Sequence, residues 1–202
     1  MNDLVEPVRL KGRHVELVPL AMEHLEELKL AVADGELWRL WYTFAPEPER
    51  MADEITRRLG LQAGGTMLPF AVLEAGTGRA VGMTTYMSVD GVNRRVEIGS
   101  TWYARRVQRT GLNTEAKLLL LGHAFDRLGC IAVEFRTHFM NQQSRRAIER
   151  LGAKLDGVLR SHSVAPNGTV RDTCVYSVIA GEWPTVRAHL EWELAKRGGI
   201  GA

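Results

Sequence analysis

The stretch from Leu68 to Ala104 constrains the fold most, because there the apolar residues abandon a helical period and begin to alternate. LPFAVLE, RAVGMTTYMSV and RRVEIGSTWYA each have strand length, and the connections AGTG and DGVN each carry a glycine. The segment is predicted to be a three-stranded antiparallel meander. A meander with an apolar face needs helices to cover it, and the flanking sequence provides them.

Upstream, GRHVELVPL reads as a short strand ending at Pro19. Leu25, Leu28 and Val32 then recur at helical spacing up to a stop at Asp34-Gly35, and a second helix carries Met51, Ile55 and Leu59 on one face. Downstream, a helix is predicted over 111–128, with Leu118, Leu121, Phe125 and Leu128 on one face and Gly129 past its end. IAVEFRTH follows as a strand, and NQQSRRAIERLG as a short helix with Ile148 and Leu151 inward and Gly152 as its cap. AKLDGVLRSHSV and TVRDTCVYSVI form a closing hairpin around the turn APNG, and a last helix over about 184–197 begins near Pro184, a residue suited to a first helical turn. The order β-αα-βββ-α-β-α-ββ-α describes one α/β (α+β) domain with a mixed sheet over 1–202, its core at about 9–185.

Composition serves mainly to exclude. With 26 Lys and Arg against 24 Asp and Glu, the net charge of +2 is too small for bulk attraction to nucleic acid or membrane, so an anionic partner must be held by a local cluster. The 2 cysteines, Cys130 and Cys174, lie in apolar surroundings and read as reduced core residues. No apolar run is long enough to span a bilayer and the N-terminus lacks a signal pattern, so a cytoplasmic protein is expected.

One segment carries chemistry. Arg105 to Glu115 lies between a strand end and a helix start, where unpaired backbone N–H groups, a glycine and flanking arginines favour an anion such as phosphate. Neither G-x-x-x-x-G-K-[ST] nor G-x-G-x-x-G is present, which disfavours nucleotide hydrolysis and dinucleotide redox chemistry. An ordinary capped helix after a basic turn remains open from these residues alone.

Gln108-x-x-Gly111-x-Asn113 resembles the pyrophosphate-binding loop of the GNAT superfamily of N-acetyltransferases. The resemblance extends through Thr114-Glu115-Ala116, Asn141-x-x-Ser144, AIERLGA and Glu97-Ile98-Gly99, and it is similar to the RimJ/RimL-like branch over residues 9 to about 185. It implies a mostly antiparallel mixed sheet with a splayed central strand pair, acetyl-CoA as co-substrate, no metal, an amine acceptor that is a small molecule or peptide, and a homodimer. Asn113 stands where the family pattern has Gly or Ala, which implies a local backbone change or a further side-chain contact. The stretch from Glu97 to Gly111 is one residue longer than the pattern, which a bulge would absorb.

By the resemblance, Gln108, Arg109, Thr110, Gly111, Leu112 and Asn113 hold the pyrophosphate, backbone amides at Trp102 and Tyr103 hold the acetyl and pantetheine portions, and Asn141 and Ser144 lie near the thioester. Ser144 is either an acid for the departing thiol or a helix cap, and Asn141 is either a ligand or a turn residue. Glu97 is the candidate base, unless it is a surface carboxylate paired with Arg94 or Arg95. Glu134 and His138 stand behind it. Tyr176 resembles the tyrosine acid of some members but also suits a core position. Trp38, Trp41, Tyr42 and Phe44 would form one acceptor wall, with Trp38 equally suited to core packing. The hairpin with Arg160, His162, Arg171 and Asp172 would form the other. A competing reading is a non-catalytic acyl-CoA-binding or RNA-binding module using Arg105, Arg106, Arg109, Arg145, Arg146 and Arg150.

Overall fold

A computed structural model describes residues 3–165 and 167–198; Pro166 of the expected hairpin turn and both ends of the 1–202 span lie outside the described residues. Eight strands form one sheet in the order β1-β2-β3-β4-β5-β6-β8-β7. They are β1 (Leu10–Lys11), β2 (Val15–Pro19), β3 (Leu68–Glu74), β4 (Ala80–Asp90), β5 (Arg95–Tyr103), β6 (Ala132–His138), β7 (Lys154–Val164) and β8 (Val170–Ile179). Five α-helices accompany them: α1 (Leu25–Ala33), α2 (Met51–Ala63), α3 (Leu112–Gly122), α4 (Gln142–Glu149) and α5 (Trp183–Gly198). The element order is the one read from the sequence, with the two-residue β1 as an addition.

Every neighbouring pair is antiparallel except β5–β6, which is parallel and registered only over Arg95, Val96 and Glu97 against Ala132, Val133 and Glu134. Beyond those residues the two strands separate. The extra residue of β5 is taken up where the register against β4 shifts between Gly99 and Trp102, and Ser100 adopts a left-handed φ of 48°. The bulge and the end of pairing together open a V-shaped slot in the middle of the sheet.

Helices cover both faces. On one face α2 sends Arg58 to Thr85 and Ser100; on the other, α3 receives the Tyr86 hydroxyl on Leu120 O and reaches Thr84 and Thr101 through Lys117. Helix α5 lies outside α3, with Trp183 stacked on Phe125 and bonded to Asp126. Two stripes differ from the sequence reading. In α2 the buried line is Met51, Ile55 and Arg58, with Leu59 half-buried, because an ion pair carries the arginine inward. Along α3 and the turn that ends it, Ala116, Leu120, Leu121 and Ala124 are buried while Leu118 and Phe125 are half-buried, because α5 covers a second side of the helix. The predicted 111–128 helix is α-helical to Gly122 and finishes as a π-turn over His123–Arg127. Gly129 and Gly152 take left-handed φ values at the helix ends, as their positions required, whereas at the DGVN connection the left-handed residue is Arg94, just after it.

Candidate active site

The loop after β5 is built largely from its own side chains. Gln108 Nε2 donates to Tyr103 O (3.0 Å), drawing the loop back onto the strand it leaves. Thr110 Oγ1 donates to Val107 O (2.7 Å) and accepts from Leu112 N (3.2 Å). Arg109 provides the turn with φ 62°. Gly111 precedes α3 as a cap with no side chain to occupy the helix N-terminus, which leaves that end open to an anion. Asn113 is an ordinary helical residue of α3's first turn, so its departure from the family pattern changes no backbone, and its Oδ1 is buried without a partner. Arg150 reaches the same turn through Thr114 Oγ1 (3.3 Å).

Glu115 anchors this helix end to the start of the chain. Its carboxylate accepts from the amides of Arg13 (2.9 Å), His14 (2.5 Å) and Val15 (3.0 Å). A side chain on Gly12 would collide with it at 2.5 Å, so the glycine is required by close approach. The sequence reading quoted Glu115 only as part of a motif; what marks it is a carboxylate in a helix's first turn beside a glycine-containing strand entry.

Glu97 occupies the apex of the slot at the last paired residue of β5. It is 6% exposed, which corrects the surface pairing with Arg94 or Arg95. Its Oε2 accepts from Ser88 Oγ (3.0 Å) and lies 3.7 Å from Arg136 Nε, while Arg95 pairs with Glu134 instead. Burial pushes the Glu97 carboxyl above its ordinary value; the Ser88 hydrogen bond and Arg136 oppose that rise without cancelling it, and Glu134 adds to it. Glu134, held by Arg95 and Arg136, is shifted below its ordinary value despite some burial, and is the weaker base. Gly99 leaves the space Glu97 uses, since a Cβ there would meet Glu97 Oε1 at 2.9 Å.

On the opposite strand, His138 is buried and burial pushes its imidazole down, so it is neutral. Its Nδ1 accepts from Met140 N (3.1 Å), which places the proton on Nε2, an atom buried without a partner. His138 therefore presents an N–H donor and cannot accept a proton at Nε2. Trp41 and Tyr42 pack edge-on against it with centroids 5.1 and 6.4 Å away, and Arg171 lies 5.6 Å from the Phe44 ring. The aromatic connection and the closing hairpin thus meet over the far end of β6, while Trp38 packs against the core. Within the hairpin, Asp172 holds Arg160 (2.6 Å) and the Ser161 amide, and the exposed His162 touches Thr173 Oγ1 at 3.1 Å. A polar groove of about 450 Å³ continues across β6, β8 and β7, lined by Arg95, Glu134, Arg136, Asp156 and Ser177 among others.

Asn141 caps α4, its Oδ1 accepting from Ser144 N (3.0 Å). The capping side chain is therefore that of Asn141 and the cap role for Ser144 is corrected: Ser144 contributes the amide. Tyr176 is fully buried, donating to Glu149 Oε1 (2.8 Å) and accepting from Arg145 Nε (3.1 Å). The slot thus separates the candidates, with Glu97 at its apex, the bulge midway, and Asn141 and Ser144 past the end of β6. Trp102 and Tyr103 close β5 as buried residues whose Nε1 and hydroxyl lack partners, and burial pushes the Tyr103 phenol up. Open helix amides, Arg150 and the unpartnered Trp102 donor suit a ligand rich in phosphate and carbonyl oxygens. The arginines of the RNA-binding reading do not form one surface of uncommitted charge: Arg106 is paired with Glu74 (2.9 Å), Arg145 with Tyr176, and Arg150 with Thr114. Cys130 and Cys174 are buried and outside any disulfide. Among the described residues, no helix is long and apolar enough to cross a membrane, and no cluster of three or more His, Cys, Asp or Glu could hold a metal ion.

Comparison with known proteins places this geometry. Residues 14–154 match the acetyltransferase (GNAT) domain family. The chain is 31% identical to a GCN5-related N-acetyltransferase from Brucella melitensis, with a TM-score of 0.83 over 94% of this chain and 86% of that one. It is 33% identical over 114 residues to YdaF of Bacillus subtilis (strain 168), named as a candidate ribosomal N-acetyltransferase; that match spans 55% of this chain and 61% of the relative. The fold is also that of Mycobacterium smegmatis RimJ, solved in complex with CoA-disulfide, at 23% identity and a TM-score of 0.76 over 95% of this chain and 94% of that one.

Proposed function

Because the chain belongs to the GNAT family of acetyltransferases and is an acyltransferase by that membership, we propose that it transfers an acetyl group from acetyl-CoA to a primary amine by direct attack in a ternary complex. The acceptor is a protein N-terminus, an amino acid or a small molecule. The observation that carries this reading is the end of β5–β6 pairing at Glu97 and Glu134, which opens a slot between a buried carboxylate and the uncapped N-terminus of α3. When bound, acetyl-CoA supplies the activated acyl group as a thioester.

The chain's own residues do the rest. In the loop from Gln108 to Asn113, the backbone N–H groups of Arg109, Thr110, Gly111 and Asn113 face phosphate while those of Gln108 and Leu112 hold the loop's own shape, and Arg150 adds charge beside it. Backbone amides at Trp102 and Tyr103 orient the acyl and pantetheine portions. Asn141, whose Oδ1 is committed to the Ser144 amide, offers its Nδ2. Trp41 and Tyr42 flank the amine's approach, with Trp38 supporting them from the core. Glu97 accepts a proton from the acceptor's ammonium so that the free amine attacks; its raised basicity makes that transfer less uphill than for an exposed carboxylate. The Ser144 hydroxyl holds a proton for the departing thiol.

A polypeptide N-terminus is the acceptor to test first, given the ribosomal role named for YdaF. The homodimer belongs to the same reading, and the exposed Trp192 on α5 supports it. Thermal shift with acetyl-CoA, followed by thiol release across peptides, amino acids, polyamines and aminoglycosides, tests the whole. No shift at millimolar acetyl-CoA refutes it.

A further inference from the structure

Two buried cations grip the β5 bulge from opposite faces of the sheet. From α2, Arg58, 2% exposed, donates Nη1 to Thr85 Oγ1 (2.6 Å) and Nη2 to Ser100 O (3.2 Å), and its charge is matched by Glu54 at 2.7 Å. From α3, Lys117, 5% exposed, places Nζ 3.3 Å from Thr84 Oγ1 and 3.1 Å from Thr101 Oγ1, two hydroxyls that also bond each other at 2.8 Å.

The second cation has no counter-charge. Among the described residues, the groups around α3 are committed elsewhere: Glu115 to the Arg13, His14 and Val15 amides, Asp126 to Arg187 and Trp183 of α5, and the Tyr86 hydroxyl to Leu120 O. Tyr103, on the same side of β5 as Thr101, is an un-ionised phenol. His123, stacked on Tyr86, is pushed down by burial. Burial alone lowers the Lys117 amine to about 7. A buried ammonium without a carboxylate opposes folding, so its place at the bulge is not explained by stability.

We infer that Lys117 is a positioning residue for acyl transfer, fixing the bulge through Thr101 and setting an uncompensated positive charge behind the slot where negative charge develops. Developing charge in a water-poor site gains from a fixed cation that needs no rearrangement during the reaction. Arg58, neutralised by Glu54, holds the other face of the bulge without adding net charge. The inference rests on the slot being the acyl-transfer site.

The test compares the full chain with Lys117→Met, using acetyl-CoA and the acceptor from the thiol-release screen, or acceptor-independent thiol release where no acceptor emerges. Lys117→Met is expected to lower kcat by roughly 10- to 100-fold. Its KM for acetyl-CoA stays within about threefold, and its urea midpoint rises because a buried charge is gone. In the native chain kcat/KM for acetyl-CoA falls above pH about 7 as the amine deprotonates; in Lys117→Met that decline is absent. Thr101→Val, which keeps the charge, loses less than Lys117→Met. Unchanged kcat in Lys117→Met overturns the inference, and so does a loss of kcat accompanied by a lower urea midpoint and lost acetyl-CoA binding, the signature of a purely structural lysine. If the native chain itself shows neither an acetyl-CoA shift nor thiol release, the proposed function has failed first.

Discussion

Glu115 offers the sharpest quantitative test of how the cofactor loop is held. Truncating it to Ala removes the acceptor of three backbone amides on the β1–β2 connection. The Val15 amide is buried and, left unpaired, costs about 1–3 kcal/mol; the part-buried Arg13 and His14 amides recover some hydration and cost about 0.5–1.5 kcal/mol each. Glu115→Ala should therefore lose about 4 kcal/mol in urea unfolding, with a fall in Tm of roughly 8–16 °C for a chain of this size. Glu115→Gln should lose a smaller amount, because one oxygen still accepts while the new NH2 faces an amide donor.

The geometry also fixes a coupling. Gly12→Ala drives a methyl to 2.5 Å from the Glu115 carboxyl in the native chain, and truncating Glu115 to Ala removes the three atoms that methyl meets first. A double-mutant cycle should thus return a strong favourable coupling, with Gly12→Ala costly alone and nearly neutral on Glu115→Ala. Equal cost in both backgrounds, or a loss below about 1 kcal/mol for Glu115→Ala, would falsify the anchoring role.

Two further outcomes follow from the site. Acetyl-CoA at a hundredfold excess over Kd should stabilise the native chain by about 2.7 kcal/mol; Gly111→Val should abolish that gain, since even a Cβ there lies 3.3 Å from His14, and a retained gain removes the loop from the site. Glu97, whose carboxyl is raised in the folded state, contributes stability below its unfolded pKa that is lost as pH rises through the folded one. Glu97→Gln should therefore match the native chain's stability in acid and exceed it at neutral pH by urea unfolding, while kcat drops at every pH; native-like kcat at neutral pH would exclude Glu97 as the base.

The element order was legible because each segment repeats its period for long enough, as LPFAVLE and RAVGMTTYMSV do, and because Gly129 and Gly152 mark helix ends. β1 escaped notice since two residues hold no period. Buried charge was the larger omission. Arg58 continues the Met51–Ile55 line, and Lys117 shares its side of α3 with Leu120 and Leu121, so spacing marked both as inward while residue type suggested a solvated surface. Partners decide such cases, and Thr84, Thr85, Ser100 and Thr101 come together only through strand register. Glu97 was misplaced for the same reason: Arg95, adjacent on the page, points to Glu134, and the charge that meets Glu97 comes from Arg136 on another strand.

The parallel seam between β5 and β6 has a mechanical meaning. Antiparallel pairing runs through β1 to β5 and again through β6 to β8, so within the sheet two antiparallel plates meet at three residue pairs while one hydrophobic core spans both. The seam is tied across by Arg95 to Glu134 and by Arg136 toward Glu97, so charged side chains stand where the ladder hydrogen bonds stop. Slot width is thus set by side-chain pairs at the seam, whereas the bulge that lines it is held from either side by Arg58 and Lys117.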